Sequence, residues 1–147
     1  MKEGFLMDDC IFCKIIKGEI PSITVYEDDD VKAFLDISQA TKGHTLLVPK
    51  KHVQDIFAYD DALAQKVLTK IPMVAQAIKD SDPKILGLNI VNNNGEVAYQ
   101  SVFHSHIHFI PRYGKDDGFS MAFSDNSAKY DQDALNQTAA AIKAQFN

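Results

Sequence analysis

The chain has 147 residues, 46% of them hydrophobic and 24% charged, which is the make-up of one soluble globular domain large enough for its own core. A net charge of −5, with no basic patch beyond the short "VPKKH", excludes broad binding to nucleic acid, which needs many phosphate-neutralising cations. It leaves a single nucleotide open. No apolar run approaches the roughly 20 residues of a membrane helix, and "MKEGFLMDDC" lacks the apolar region of a secretory leader, so the cytoplasm is the expected compartment.

In chain order, "DDCIFCKIIKGEIP" predicts a short helix with an Asp start and with Gly18 and Pro21 as stops. "ITVYED" and "VKAFLDI" predict two strands joined by a tight turn, and "GHTLLVPK" a third strand ended by Pro49. In "DALAQKVLTKIPMVAQAIKD" the apolar residues Leu63, Val67, Leu68, Ile71, Val74, Ala75 and Ile78 recur at helical spacing, with a kink expected at Pro72. "ILGLNIVNN" predicts a fourth strand. "VFHSHIHFIPR" predicts a fifth, and "DQDALNQTAAAIKAQF" a final amphipathic helix. Mostly consecutive strands around one long helix predict an α+β domain with an antiparallel sheet.

The fifth strand concentrates the chemistry. Three of the five histidines, His104, His106 and His108, alternate along it. On a strand they point to one face, and Ser105, Ile107 and Phe109 to the other. One metal shared by all three is opposed by geometry, because the outer Cα atoms are roughly 13 Å apart, although two neighbours could share an ion. A nucleophile is the other reading. Neutral imidazole titrates near pH 7 and attacks phosphorus, and water then cleaves the phosphohistidine. His106 is the candidate, with a histidine on either side. Gln100 and Ser101 just upstream offer donors to phosphate oxygens or a leaving group. "NNNG" offers an anion cradle or only a turn. His44 and His52 flank the third strand. Cys10 and Cys13 form a Cys-x-x-Cys pair at the start of the chain. The pair reads as redox-active, as half a metal site, or as two buried thiols.

Together these stretches resemble the histidine triad (HIT) family of nucleotide-binding proteins, in its bacterial Hint-like branch. The His-φ-His-φ-His-φ-φ signature, φ being apolar, reads His104-Ser105-His106-Ile107-His108-Phe109-Ile110, with Ser105 departing from it. "IFCKIIKGEIP", "VYEDDDVKAFLDI", "GHTLLVPKKH" and "NNNGEVAYQS" extend the likeness over most of the chain. The resemblance implies the HIT-like fold: about five antiparallel strands with one long helix and short flanking helices. It implies a single domain over residues 1–147, with a core at about 8–112 and a C-terminal loop and helix at 113–147.

The resemblance also implies roles. His106 would attack the α-phosphate of a purine nucleotide, His108 would hold phosphate oxygens, and His104 would support the central ring. Ser101 would serve the phosphate or the leaving group, Gln100 would line the pocket, and His44 would back the triad. Asp36 would bind the ribose hydroxyls, Ile11, Phe12, Ile15, Phe34 and Ile37 would form the base slot, and Asn93 would touch the sugar–phosphate. The implied activity is hydrolysis of nucleoside 5′-phosphoramidates or adenylates. Dinucleoside polyphosphate hydrolysis, a nucleotide-binding module and a zinc hydrolase are the competing readings. The implied assembly is a two-fold homodimer with Leu63, Val67 and Ile71 at its interface. A structural zinc is expected on Cys10, Cys13, His52 and His104. The Cys-x-x-Cys spacing suits a thiolate clamp, and the resemblance supplies the two histidines. Tyr99 and Lys42 depart from the branch, and Tyr99 is expected to narrow the pocket or reach a partner.

Overall fold

A computed structural model describes residues 9–146. Residues 1–8, which hold most of the stretch read for a leader and the point where the core is expected to begin, lie outside them. Helix α1 spans Ile11–Lys17 and ends at Gly18, whose φ of +82° is left-handed, a conformation that glycine adopts without strain. The N-cap is Cys10 rather than an aspartate, its Sγ accepting from the Cys13 N–H. Strands β1 (Thr24–Glu27), β2 (Val31–Leu35), β3 (Thr45–Pro49), β4 (Gly87–Asn92) and β5 (Ile107–Arg112) pair throughout as antiparallel neighbours in the order β1-β2-β3-β5-β4. Strand β5 therefore lies inside the sheet, and β4 at its edge.

Alternation divides the sheet into two faces. On one, Val31, Ala33, Leu47, Ile107 and Phe109 pack under the helices with Leu63, Val67 and Val74. On the other, Phe34, Leu46 and Val48 pack under α1 through Phe12 and Ile15. His108 is registered opposite Leu46, so the histidines share the α1 face. Ser105, the polar residue at an apolar place in the signature, is fully buried, with its N–H on the Val53 carbonyl and its hydroxyl 3.4 Å from that of Tyr59.

The single long helix of the sequence reading is two. Helix α2 spans Asp61–Val67, a 3₁₀ turn covers Leu68–Lys70, and α3 spans Ile71–Ser81. The regular helix is interrupted by the 3₁₀ turn immediately before Pro72, which stands in the first turn of α3, where its missing N–H costs nothing. Two of the expected interface residues are corrected. Leu63 and Val67 are buried in this chain's own core, because the apolar stripe of the helices is spent on the sheet, while Ile71 is half-buried and packs against that core. Helix α4 spans Gln132–Lys143 and buries none of its residues. Among the described residues no helix is long and apolar enough to cross a membrane.

Candidate active site

His104 and His106 lie just ahead of β5, and only His108 is in the strand. The ladder stops at the Asn92–Ile107 pair. Beyond it the side chain of Asn92 takes over, its Nδ2 donating to the His106 carbonyl at 2.9 Å. The rings nevertheless remain together. His106 and His108 have centroids 5.0 Å apart, and Phe12 stands edge-on to His106 at 5.0 Å and to His104 at 5.9 Å.

The protonation state of each ring follows from its partners. A carbonyl only accepts, so His106 Nδ1, 2.8 Å from the His104 carbonyl oxygen, carries its proton. Its Nε2 is then a lone pair. The same reasoning puts the His104 proton on Nε2, 2.8 Å from the Pro49 carbonyl, and leaves Nδ1 a lone pair. A backbone N–H only donates, so His44 Nδ1, 3.1 Å from Ala40 N, is an acceptor. His44 Nε2–H must then donate to His108 Nδ1 at 2.9 Å. That places the His108 proton on Nε2, on the side of the ring away from His44. The site thus pairs one nucleophilic nitrogen with one aligned donor. Burial pushes the pKa of His106 and His44 down and that of His108 to about 4, so the rings are neutral at pH 7.

Stability should therefore fall on acidification. An unfolded histidine titrates near 6.5 and folded His108 near 4, so between those values the unfolded chain binds more protons. The contribution is complete above the higher value and is lost as pH falls toward the lower. Urea midpoints at pH 7.0, 6.0 and 5.0 (about one unit apart, within the titration range of histidine) should decrease in that order. A rising midpoint would contradict burial of neutral rings.

Cys10, Cys13, His52 and His104 present their ligand atoms within 4.8 Å of one another. The sulfur–nitrogen separations are 3.4 Å for Cys10–His104, 3.5 Å for Cys13–His104 and 3.2 Å for Cys13–His52. A tetrahedral ion bound by thiolate and imidazole spaces such atoms by about 3.5 Å. The lone pair of His104 Nδ1 is on the sulfur side, so the donor set fits a metal. Asp36, His44 and His108 also converge within 4.8 Å, but there the His44 proton fills the space between the rings. His44 and His108 are joined by that hydrogen bond, and the Asp36 carboxylate stands beside the pair with Oδ2 3.6 Å from His44 Nε2, an electrostatic contact rather than a hydrogen bond.

The remaining predicted residues divide. Phe12, Ile15 and Phe34 form one buried cluster. Ile11 is half-exposed and Ile37 is 96% exposed, because no element covers the loop after β2. Asp36 binds the Ser38 N–H through Oδ1, with lone pairs left for hydroxyl donors. Gln100 is buried with both ends spent on backbone, Nε2 on Gln54 and Val102 carbonyls and Oε1 on the Gly95 N–H; it braces a loop. Asn94 is likewise turned inward, to Ile56 N–H and Asn92, so the side chains of "NNNG" build a turn rather than an anion cradle. Asn93 is half-buried. Ser101 is exposed and lines a cleft of about 460 Å³ with Cys10, Ile11, His52, Gln54 and Phe103. Tyr99 is 86% exposed in a left-handed turn.

The family model for the HIT domain matches residues 17–115. The chain belongs to the HIT family. It is 51% identical over 135 residues to "Protein hit" of Bacillus subtilis, covering 92% of each chain. A crystal structure of a HIT family member from Bacillus subtilis superposes with a TM-score of 0.91 at 48% identity, covering 95% of this chain and 99% of that one. An adenosine 5′-monophosphoramidase of Candida albicans is 33% identical over 126 residues, 84% of this chain and 83% of that protein. An adenylylsulfatase of Arabidopsis thaliana is 36% identical over 135 residues, 91% of this chain and 68% of that protein. A zinc-bound histidine triad protein from Mycobacterium smegmatis superposes with a TM-score of 0.70 at 34% identity, covering 90% and 97%. Two residues in this HIT site were not anticipated from the sequence. Asn92 holds the His106 carbonyl and the Ala40 N–H sets the His44 tautomer. The first stands in a polar run that reads as an anion cradle or a turn, and the second acts through its backbone, which leaves no side-chain signal.

Proposed function

We propose that the chain is a nucleotidyl hydrolase that cleaves purine nucleoside 5′-phosphoramidates or adenylates and releases the nucleoside monophosphate through a phosphohistidine on His106. The observation that carries this reading is the tautomer of His106, whose Nδ1 proton is committed to the His104 carbonyl at 2.8 Å. Its Nε2 lone pair attacks the α-phosphorus and forms an N–P bond. The bond to the leaving group breaks with its electron pair, and the leaving atom takes a proton, for which Ser101 on the adjoining cleft is the assigned donor. Water then attacks phosphorus, the N–P bond returns its electrons to His106, and the monophosphate departs. The Nε2–H of His108 is the donor to the phosphate oxygens, and Asp36 accepts from the ribose hydroxyls.

The named activities of the Candida and Arabidopsis relatives support an adenylyl substrate with an amine or a sulfate as leaving group. The metal assigned to Cys10, Cys13, His52 and His104 is zinc, supported by the donor set and by the zinc-bound Mycobacterium smegmatis relative. Its role is that of a structural cross-link, since four protein ligands complete a tetrahedral sphere. A homodimer in the cytoplasm completes the reading. Steady-state assays against adenosine and guanosine phosphoramidates, an adenylyl sulfate and diadenosine polyphosphates test it. The highest kcat/KM should fall on a phosphoramidate or adenylyl sulfate, and a preference for dinucleoside polyphosphates would overturn the substrate assignment.

A further inference from the structure

The loop from Asp36 to His44 carries two site residues at its two ends, and one exposed side chain joins them. Gln39 Nε2 donates to the Asp36 carbonyl at 2.5 Å and to the His44 carbonyl at 2.7 Å, while its Oε1 accepts from the Gly43 N–H at 2.8 Å. Three hydrogen bonds from one surface glutamine are unusual, because such a side chain loses rotamer freedom that water would leave it. The next residue supplies the Ala40 N–H that fixes the tautomer of His44. The outer side of the loop is also held. Thr41 Oγ1 donates to the Pro111 carbonyl and Tyr113 Oη to the Lys42 carbonyl, both at 2.6 Å. Gly43 has φ +93°, and a Cβ there would lie 3.2 Å from Pro111 Cγ. Backbone and strand thus fix where the loop sits, and Gln39 fixes how its ends face each other.

We propose that Gln39 is a positioning residue of this site, holding the Asp36 carboxylate and the His44 imidazole in the relative placement that ribose binding and the His44–His108 hydrogen bond require. This rests on the function proposed above for the ribose role of Asp36. Gln39 touches no reacting atom. It acts through the two carbonyls flanking the groups that do, and through the peptide that aims the Ala40 N–H.

Two variants of the full chain test it. Gln39→Met keeps length and bulk but removes all three hydrogen bonds. Gln39→Glu keeps the acceptor for Gly43 and sets a carboxylate against two carbonyls. Each should raise KM for a ribonucleoside phosphoramidate roughly tenfold, the worth of one or two net hydrogen bonds. The preference for the ribo- over the 2′-deoxyribonucleotide should shrink by a similar factor, the effect being larger for Gln39→Glu. The ¹⁵N shifts of the His44 ring should move from a single tautomer toward a mixture. Thermal midpoints near wild type would separate this from general loosening. Where Gln39→Met melts markedly lower, Gln39→Glu at a temperature well below its midpoint is decisive. Wild-type KM, an undiminished ribose preference and unchanged His44 shifts in a folded variant would overturn the proposal. If the wild-type chain hydrolyses no phosphoramidate, the proposed reaction fails instead, and the His44 shifts, which need no substrate, still decide the role of Gln39.

Discussion

Replacing His106 with alanine is expected to lower kcat for phosphoramidate hydrolysis by about 10⁴-fold or more, the scale seen when a covalent nucleophile is removed. The loss should fall on kcat and spare nucleotide binding. The groups assigned to the nucleoside, Phe12, Phe34 and Asp36, lie on α1 and on the β2 end and contribute their contacts whether or not the central imidazole is present. Stability should drop modestly as well. His106 is 5% exposed and partners the His104 carbonyl, so alanine leaves a buried acceptor unpaired, at about 1–3 kcal/mol. The variant His106→Asn, which retains a side-chain donor, controls for that loss. The measurement has two arms. Wild type mixed with substrate labelled at the α-phosphorus and quenched in alkali, where phosphohistidine survives, should carry label, and His106→Ala should not. Titration of both proteins with the nucleoside monophosphate should give dissociation constants within a few-fold, that is, within about 1 kcal/mol. Label on the alanine variant, or retention of a tenth of wild-type kcat, would remove His106 from the role of nucleophile. His44→Ala should cost less, on the order of 10²-fold. It removes the donor that fixes the proton on His108 Nε2 but leaves the attacking nitrogen in place.

How far the sequence discloses this site depends on which interactions leave a mark in residue type. The common face of the three histidines follows from parity alone, and it survives although the strand proper begins only at Ile107. The bonds that Asn92 makes to the His106 carbonyl and Val53 to the Ser105 N–H hold the segment in place ahead of the ladder. The two sheet faces are legible for the same reason. The position of β5 between β3 and β4 is not, since strand order reflects long-range pairing that no local pattern encodes. The apolar period in residues 61–81 showed correctly which side of the helices is buried. It could not say that the buried side faces the chain's own sheet rather than a second copy, so Leu63 and Val67 belong to the core. A period of 3.6 also runs through a single 3₁₀ turn without visible disturbance, and the break at Leu68–Lys70 was therefore read as a kink at Pro72. Gln100 shows the opposite difficulty. A polar side chain beside the triad reads as a pocket residue, and only its partners, three backbone groups, identify it as a brace.

Removal of the metal assigned to the cysteine–histidine cluster should loosen the molecule far more than it disables the nucleophile. Cys13 is fully buried, Cys10 caps α1, His52 lies beyond β3, and His104 lies two residues before His106. One ion on these four ligands would cross-link three segments distant in sequence, and binding energy at such a site is folding energy. The thermal midpoint of Cys13→Ser, or of wild type dialysed against a strong chelator, should fall by about 10 °C or more. Activity should decline roughly ten- to a hundredfold, as when the support of a site residue is disturbed, and it should not vanish. The reason is local. The His104 carbonyl holds the proton of His106 while the His104 ring belongs to the cluster. A ring released from its ligand position lets that carbonyl wander, and the tautomer of His106 is then held less tightly. His52→Ala, which spares both cysteines and the triad, should show the same pattern in milder form. Protein purified without chelator should contain about one zinc per chain. Substitution with cobalt should give thiolate-to-metal charge-transfer absorption that is lost in Cys13→Ser. Zinc well below one per chain, or a cobalt spectrum without sulfur ligation, would dispose of the site. Complete loss of turnover on chelation, with the fold intact and no labelled phosphoenzyme in the metal-replete protein, would instead favour a zinc-bound water over His106 as the group that attacks phosphorus.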